Sequence, residues 1–166
     1  MKITSRPAPP TGWKRRFLRM PITLYRWHLG WLLGHRFLLL EHVGRRSGQT
    51  RQVVLELVNH DEVGRGTGAP DGYVVAAGFG TKSDWFRNLE AHSRGRVQVG
   101  RRRATVEAEF LDSDAGGDLM AHYGRVHPKL AVRLCATIGF EVDGSEADYR
   151  EAGRKIRFVR LRPVRG

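Results

Sequence analysis

The densest chemistry in the sequence lies in one run, Gly44-Arg45-Arg46-Ser47-Gly48-Gln49-Thr50-Arg51. It offers the guanidiniums of Arg45, Arg46 and Arg51, the Ser47 hydroxyl and the Gln49 amide, punctuated by glycines. Arginine forks match phosphate and carboxylate oxygens two at a time. Successive backbone N–H groups in a turn can form an anion-binding concavity, and glycine lets a ligand come close to them. The run therefore reads as an anion anchor, with a solvated hairpin tip as the plainer alternative. It is not a Walker loop, because the Gly-x-x-x-x-Gly-Lys-Ser/Thr spacing is absent.

A second candidate is Gly78-Phe79-Gly80-Thr81-Lys82-Ser83-Asp84-Trp85. Here a glycine-rich strand end passes into a helix start, where unpaired N–H groups carry partial positive charge. Lys82 adds a full charge, and Ser83 is the expected N-cap. The alternative is an ordinary strand-to-helix turn. Elsewhere the chemistry is sparse. The seven histidines show no ligand spacing; His122 and His127 are five apart, not the four of a helical pair, so no metal site is expected. The lone Cys135 sits in an apolar stretch and reads as a buried small hydrophobe.

These turns must be held by strands and helices that the pattern also indicates. Strands are expected at Phe37–Val43, 52–60, Tyr73–Ala77, 96–99, 103–111 and 156–161. Helices are expected from Asp84 to His92, from an Asp112-Ser113-Asp114 cap to about Val126, from Pro128 to about Ile138, and around 145–153. Residues 61–72, rich in glycine, read as a loop. The first two strands form a hairpin around the basic turn. Short strand-to-strand turns and clustered helices argue for an α+β fold with a mainly β core. That core is a closed or half-closed barrel of about six mostly antiparallel strands, with peripheral helices.

Three regions are expected: residues 1–11 as a Pro-rich disordered lead, 12–34 as a basic amphipathic helical region, and 35–166 as the barrel domain. Trp13, Phe17, Met20, Leu24, Trp27 and Trp31 alternate in steps of four and three, which places them on one helical face. Pro21 bends or splits that helix. The stripe could pack on the barrel, on a second copy in a homodimer, or on an anionic membrane surface.

The chain has 166 residues and a formal charge of +12. One domain suits that length. Residues 1–46 hold ten Lys/Arg against one acid, Glu41, so the positive charge is concentrated at the front. Such a front attracts nucleic acid, anionic lipid or an anionic cofactor. No signal peptide or membrane-spanning run is evident, so a cytoplasmic protein is expected, with peripheral contact at the inner face of a membrane left open. A nucleic-acid-binding module is the rival class, but no aromatic platform interleaves the basic residues.

Taken with Tyr73–Gly78, Asp84-Trp85-Phe86-Arg87-Asn88-Leu89 and Val97-Gln98-Val99-Gly100, the basic turn resembles the deazaflavin-dependent nitroreductase family. The likeness is good over about residues 30–115 and looser elsewhere. It implies an FMN-binding-like split β-barrel and coenzyme F420, an 8-hydroxy-5-deazaflavin bearing a phosphate and an oligoglutamate tail. FMN, or haem, on the same barrel is the runner-up. By this resemblance Arg45, Arg46, Ser47 and Arg51 sit near the phosphate and tail, and Gln52, Val53, Val54 and Leu55 line the ring with backbone groups. Ala77, Gly78, Phe79 and Gly80, with Lys82, form a second side. Phe86, Arg87, Asn88 and Leu89 complete the pocket. The implied activity is hydride transfer from the reduced deazaflavin to a flat apolar small molecule such as a quinone, enone or nitro compound. The cofactor carries the hard chemistry, so no triad or metal cluster is required. Tyr123 and His127 are the candidate proton donors. The family's C-terminal tyrosines have no counterpart in His127-Pro128-Lys129-Leu130, which puts a nitroimidazole-type acceptor in doubt.

Overall fold

The computed structural model describes residues 1–3, 35–59 and 72–164. In chain order the elements are β1 (Lys2–Ile3), β2 (Phe37–Val43), β3 (Thr50–Glu56), β4 (Tyr73–Ala77), a 3-10 turn (Gly80–Lys82), α1 (Asp84–Ala91), β5 (Arg94–Val99), β6 (Arg102–Phe110), α2 (Ser113–Val126), α3 (Pro128–Ile138), β7 (Phe140–Glu141), α4 (Glu146–Lys155) and β8 (Arg157–Pro163). The fold is α+β with a mainly β core, as the sequence pattern predicts. The chain forms two compact units.

The larger unit carries a six-stranded sheet in the order β3-β2-β5-β6-β8-β4. β2 pairs antiparallel with both β3 and β5, and β5 pairs antiparallel with β6. The period-2 alternation of a strand sets which side chains go inside. In β2, Leu38 and Leu40 are fully buried and His42 shares their face. Val97, Val99 and Val106 continue that apolar layer along β5 and β6. The two end strands of the order meet just past β3, where Leu57 bridges Val75 and the Val58 N–H donates to Val74 O at 2.8 Å. Asn59 secures this seam by accepting from the Val74 N–H and donating to Gly72 O, both at 2.9 Å.

The other unit is helical. Asp112 caps α2 by accepting from the Ala115 N–H at 2.8 Å, and Ser145 caps α4 by accepting from the Asp148 N–H at 3.2 Å. Pro128 opens α3, and Gly139 closes it in the left-handed conformation at φ 96°. α2 and α4 approach so closely that a Cβ on Gly116 would lie 2.7 Å from the Gly153 carbonyl oxygen. Cys135 is fully buried, and burial pushes its thiol up to about 11, so it is an inert core residue as expected. Residues 1–11, expected to be a disordered lead, are described only at Met1–Ile3. There Lys2 and Ile3 pair antiparallel with Glu141 and Phe140. The expected amphipathic helix over 12–34 and the expected loop over 61–72, save Gly72, lie outside the described residues. Among the described residues no helix is long and apolar enough to cross a membrane.

Candidate functional site: a basic turn latched to a helix

The basic turn closes on itself. The Gly44 N–H donates to Gln49 O and the Gly48 N–H to Gly44 O, each at 2.8 Å, while the Gln49 N–H reaches Ser47 Oγ at 3.3 Å. Gly48 takes φ 66°, a conformation that glycine adopts without penalty. The N–H groups of Gly44, Gly48 and Gln49 are spent inside the turn and that of Arg45 on α1.

The guanidiniums divide into two kinds. Arg45 turns toward α1, where its backbone N–H donates to Asn88 Oδ1 at 3.0 Å and its guanidinium to the same oxygen at 2.9 Å. The guanidinium also reaches the exposed Asp84 carboxylate at 3.1 Å. Arg46 and Arg51 are exposed and have no acidic partner among the described residues.

Asn88 is buried and uses both ends of its amide. While Oδ1 serves Arg45, Nδ2 lies 3.1 Å from Nδ1 of His42, which is also buried. An amide nitrogen only donates, so Nδ1 must accept and the ring proton resides on Nε2. Burial is the main reason the His42 pKa falls to about 4; Asp84 opposes the fall and Arg51 adds to it. The imidazole is therefore neutral at neutral pH.

Cross-strand register places Arg51 opposite His42, Val53 opposite Leu40 and Leu55 opposite Leu38. Arg51, Val53 and Leu55 thus form a row on the inner face of β3. Val53 and Leu55 are only half-buried, although their partners on β2 are fully covered. Gln52 and Val54 point the other way, and Gln52 Nε2 donates to Glu41 Oε1 at 2.8 Å. β3 ends the strand order, so over Thr50–Glu56 its outer edge has no neighbouring strand among the described residues. Among the described residues, a half-covered apolar row, a backbone edge without a neighbouring strand and cations without an acidic partner at one end are complementary to a flat heterocycle with an anionic tail. The residues present therefore fit a deazaflavin.

The other expected residues of this unit are placed less openly. Phe86 and Leu89 are core residues, 3% and 0% exposed, and Arg87 faces outward. The first three residues of α1 include the edge-to-face pair of Trp85 and Phe86, with centroids 5.9 Å apart. Sequence reasoning singled out Asn88 but missed His42, whose lone position on an apolar strand carried no motif.

The remaining expected residues belong to the helical unit. Ala77 is buried, Gly78, Phe79 and Gly80 are half-buried, and Lys82 is exposed. Gly80 takes φ 57° at the start of the 3-10 turn. The expected Ser83 cap is not made. Its hydroxyl is buried and has no hydrogen-bond partner among the described residues, and its N–H donates to Gly80 O to close the 3-10 turn. Tyr123 is buried, and its ring centroid lies 5.3 Å from that of half-buried His127. Among the described residues no group of three or more His, Cys, Asp and Glu is placed to hold a metal ion.

No curated protein matches the sequence. Among solved structures, an F420-H2-dependent reductase (FDR-A) is 23% identical, with 76% of this chain and 93% of that chain covered and a TM-score of 0.45. HutZ, the heme storage protein from Vibrio cholerae, is 16% identical over 87% and 90% of the two chains, with a TM-score of 0.49. A pyridoxamine 5'-phosphate oxidase-related, FMN-binding protein from Nostoc punctiforme is 16% identical over 95% and 81%, also at 0.49. Residues 26–138, which span the basic turn, the β3 row and the α1 latch, match the F420H(2)-dependent quinone reductase family, and the chain belongs to that family.

Proposed function

We propose that Arg46 and Arg51 hold the anionic tail of coenzyme F420 while Val53 and Leu55 take one side of its ring. The chain is an F420-dependent oxidoreductase, and a quinone fits its family as the acceptor. Bound on β3, the reduced cofactor supplies the hydride. The side chains of Val53 and Leu55 exclude water from the ring's contact face. The free edge of β3 offers backbone N–H and C=O groups along Gln52–Leu55. Arg45 does not compete for the tail, because Asn88 and Asp84 already occupy it; its task is to hold the turn. Ser47, whose oxygen accepts within the turn, shapes the loop. Quinone reduction also consumes a proton.

The observation that carries this reading is the row Arg51–Val53–Leu55 beside the exposed Arg46, which has no acidic partner among the described residues. Fluorescence titration with oxidised F420, FMN and a random DNA duplex, at low and near-physiological salt, tests it. Saturable F420 binding that weakens with salt is expected. FMN uptake without F420 uptake, or tight DNA binding without either, would overturn it.

A further inference from the structure

We propose that His42 is a positioning residue for the cofactor, acting through Asn88 on Arg45 to fix the basic turn from beneath. The proposal rests on the reading of the turn as the F420 anchor.

The geometry gives His42 a task that no other described residue shares. A primary amide can rotate by half a turn and exchange its oxygen with its nitrogen at little cost in shape. In one orientation Asn88 Oδ1 faces Arg45 and receives both of its donors, at 3.0 and 2.9 Å. In the other, Nδ2 would face a backbone N–H and a guanidinium, which are donors only. Among the described residues, the one acceptor that meets the amide from behind in the first orientation is Nδ1 of His42, at 3.1 Å from Nδ2. His42 and Asn88 are both buried, 5% and 4% exposed, so water does not readily substitute for either partner.

The cross-strand neighbour of His42 is Arg51. His42 thus lies beneath both ends of the anchor: Arg51 stands opposite it on β3, and Arg45, next to Arg46, is reached through Asn88. The depressed pKa of His42 accords with a ring kept as an acceptor. A positively charged ring at this position would place a donor against Nδ2 and turn the amide around.

The role is recognition, not hydride transfer. Removing the acceptor should raise the KM for reduced F420 and leave kcat with saturating cofactor near that of the wild type.

His42→Leu keeps the bulk and removes the acceptor, and His42→Val does so with a better strand former. His42→Asn returns an oxygen near the place of Nδ1. Deazaflavin affinity, read by fluorescence, should fall about tenfold in the Leu or Val variant and return to within about threefold of wild type in the Asn variant. Equal affinity in a folded Leu or Val variant overturns the proposal, as does an Asn variant no better than Leu. Two-bond proton–nitrogen spectra of the wild type add a test that needs no variant. They must show the proton on Nε2 of His42 at neutral pH, and a proton on Nδ1 overturns the relay. If wild-type protein fails to bind F420 at all, the anchor reading has failed instead, and that result is distinct from both.

Discussion

One side-chain oxygen, Asn88 Oδ1, receives both the backbone N–H and the guanidinium of Arg45, at 3.0 and 2.9 Å. This joins the turn after β2 to the second half of α1 across 43 residues of sequence. A residue so placed is part of the scaffold before it is part of any pocket. Replacing it with alanine leaves the Arg45 N–H and His42 Nδ1 without their partner. A buried donor or acceptor left unpaired costs about 1–3 kcal/mol. Asn88→Ala should therefore lose stability in that range, read from the urea midpoint. A loss of affinity without a loss of stability would instead mean that Asn88 touches the ligand directly.

Arg46 and Arg51 should behave in the opposite way. Both are exposed and have no acidic partner among the described residues, so surface truncation should alter stability by less than about 0.5 kcal/mol. Charge-assisted hydrogen bonds to a ligand contribute about 1.5–3 kcal/mol each. Arg46→Ala and Arg51→Ala should each weaken F420 binding by about tenfold or more, and the double variant should also show a flatter dependence on salt. The thermal midpoint should stay near that of the wild type. Unchanged affinity in the double variant would remove the anchor from this turn.

Much of this architecture is legible in local pattern. Short apolar runs mark Phe37–Val43 and Tyr73–Ala77 as strands to the residue, and most residues of both are buried. Asp112, Pro128 and Ser145 mark helix starts because each satisfies or forgoes an N–H that a first turn leaves orphaned. What escaped reading depends on partners far away. The Lys2–Ile3 strand exists only through Phe140 and Glu141, and no propensity of two residues announces it. Ser83 looks like a cap, yet its N–H is taken by Gly80 and its hydroxyl turns inward. The basic turn is visible as charge, but the division between Arg45, held by Asn88, and the exposed Arg46 and Arg51 is set by where α1 docks. His42 is a polar residue in an apolar strand. Its meaning appears only with the amide that meets it.

The helical unit makes a prediction about packing. A Cβ on Gly153 would meet the Gly116 carbonyl oxygen and lie 2.6 Å from Met120 Cβ. Backbone of α2 stands in the way, so no side-chain rotation relieves the clash. Gly153→Ala should force α2 and α4 apart and cost about 1–3 kcal/mol, despite alanine's better helix propensity. Gly144→Ala is a useful contrast. Its site is open, and strain there comes only from φ 90°. Comparing the two thermal midpoints separates steric overlap from backbone strain, and a neutral Gly153→Ala would show that the helices can slide.

The buried imidazole sets how stability depends on pH. His42 has a folded pKa of about 4 against 6.5 for the free side chain, chiefly because burial penalises the cation. Above 6.5 neither state binds the proton, and the folded state has its full stability. Between 6.5 and about 4 the unfolded chain takes up a proton that the folded chain refuses, so stability falls as pH falls. Below about 4 the folded ring is protonated too, and this contribution levels off. The whole span corresponds to roughly 3 kcal/mol at 1.36 kcal/mol per pKa unit. Asp84 on α1 moderates the effect and Arg51 on β3 deepens it. Carboxylates elsewhere, such as Glu109 held low by Arg162, also lose stability in acid, so the wild-type slope alone is not diagnostic. The difference between wild type and His42→Asn is. Urea midpoints measured across this window should converge toward the acid end if the variant is the less stable protein at neutral pH. Parallel curves would mean that His42 titrates alike in the folded and unfolded chains.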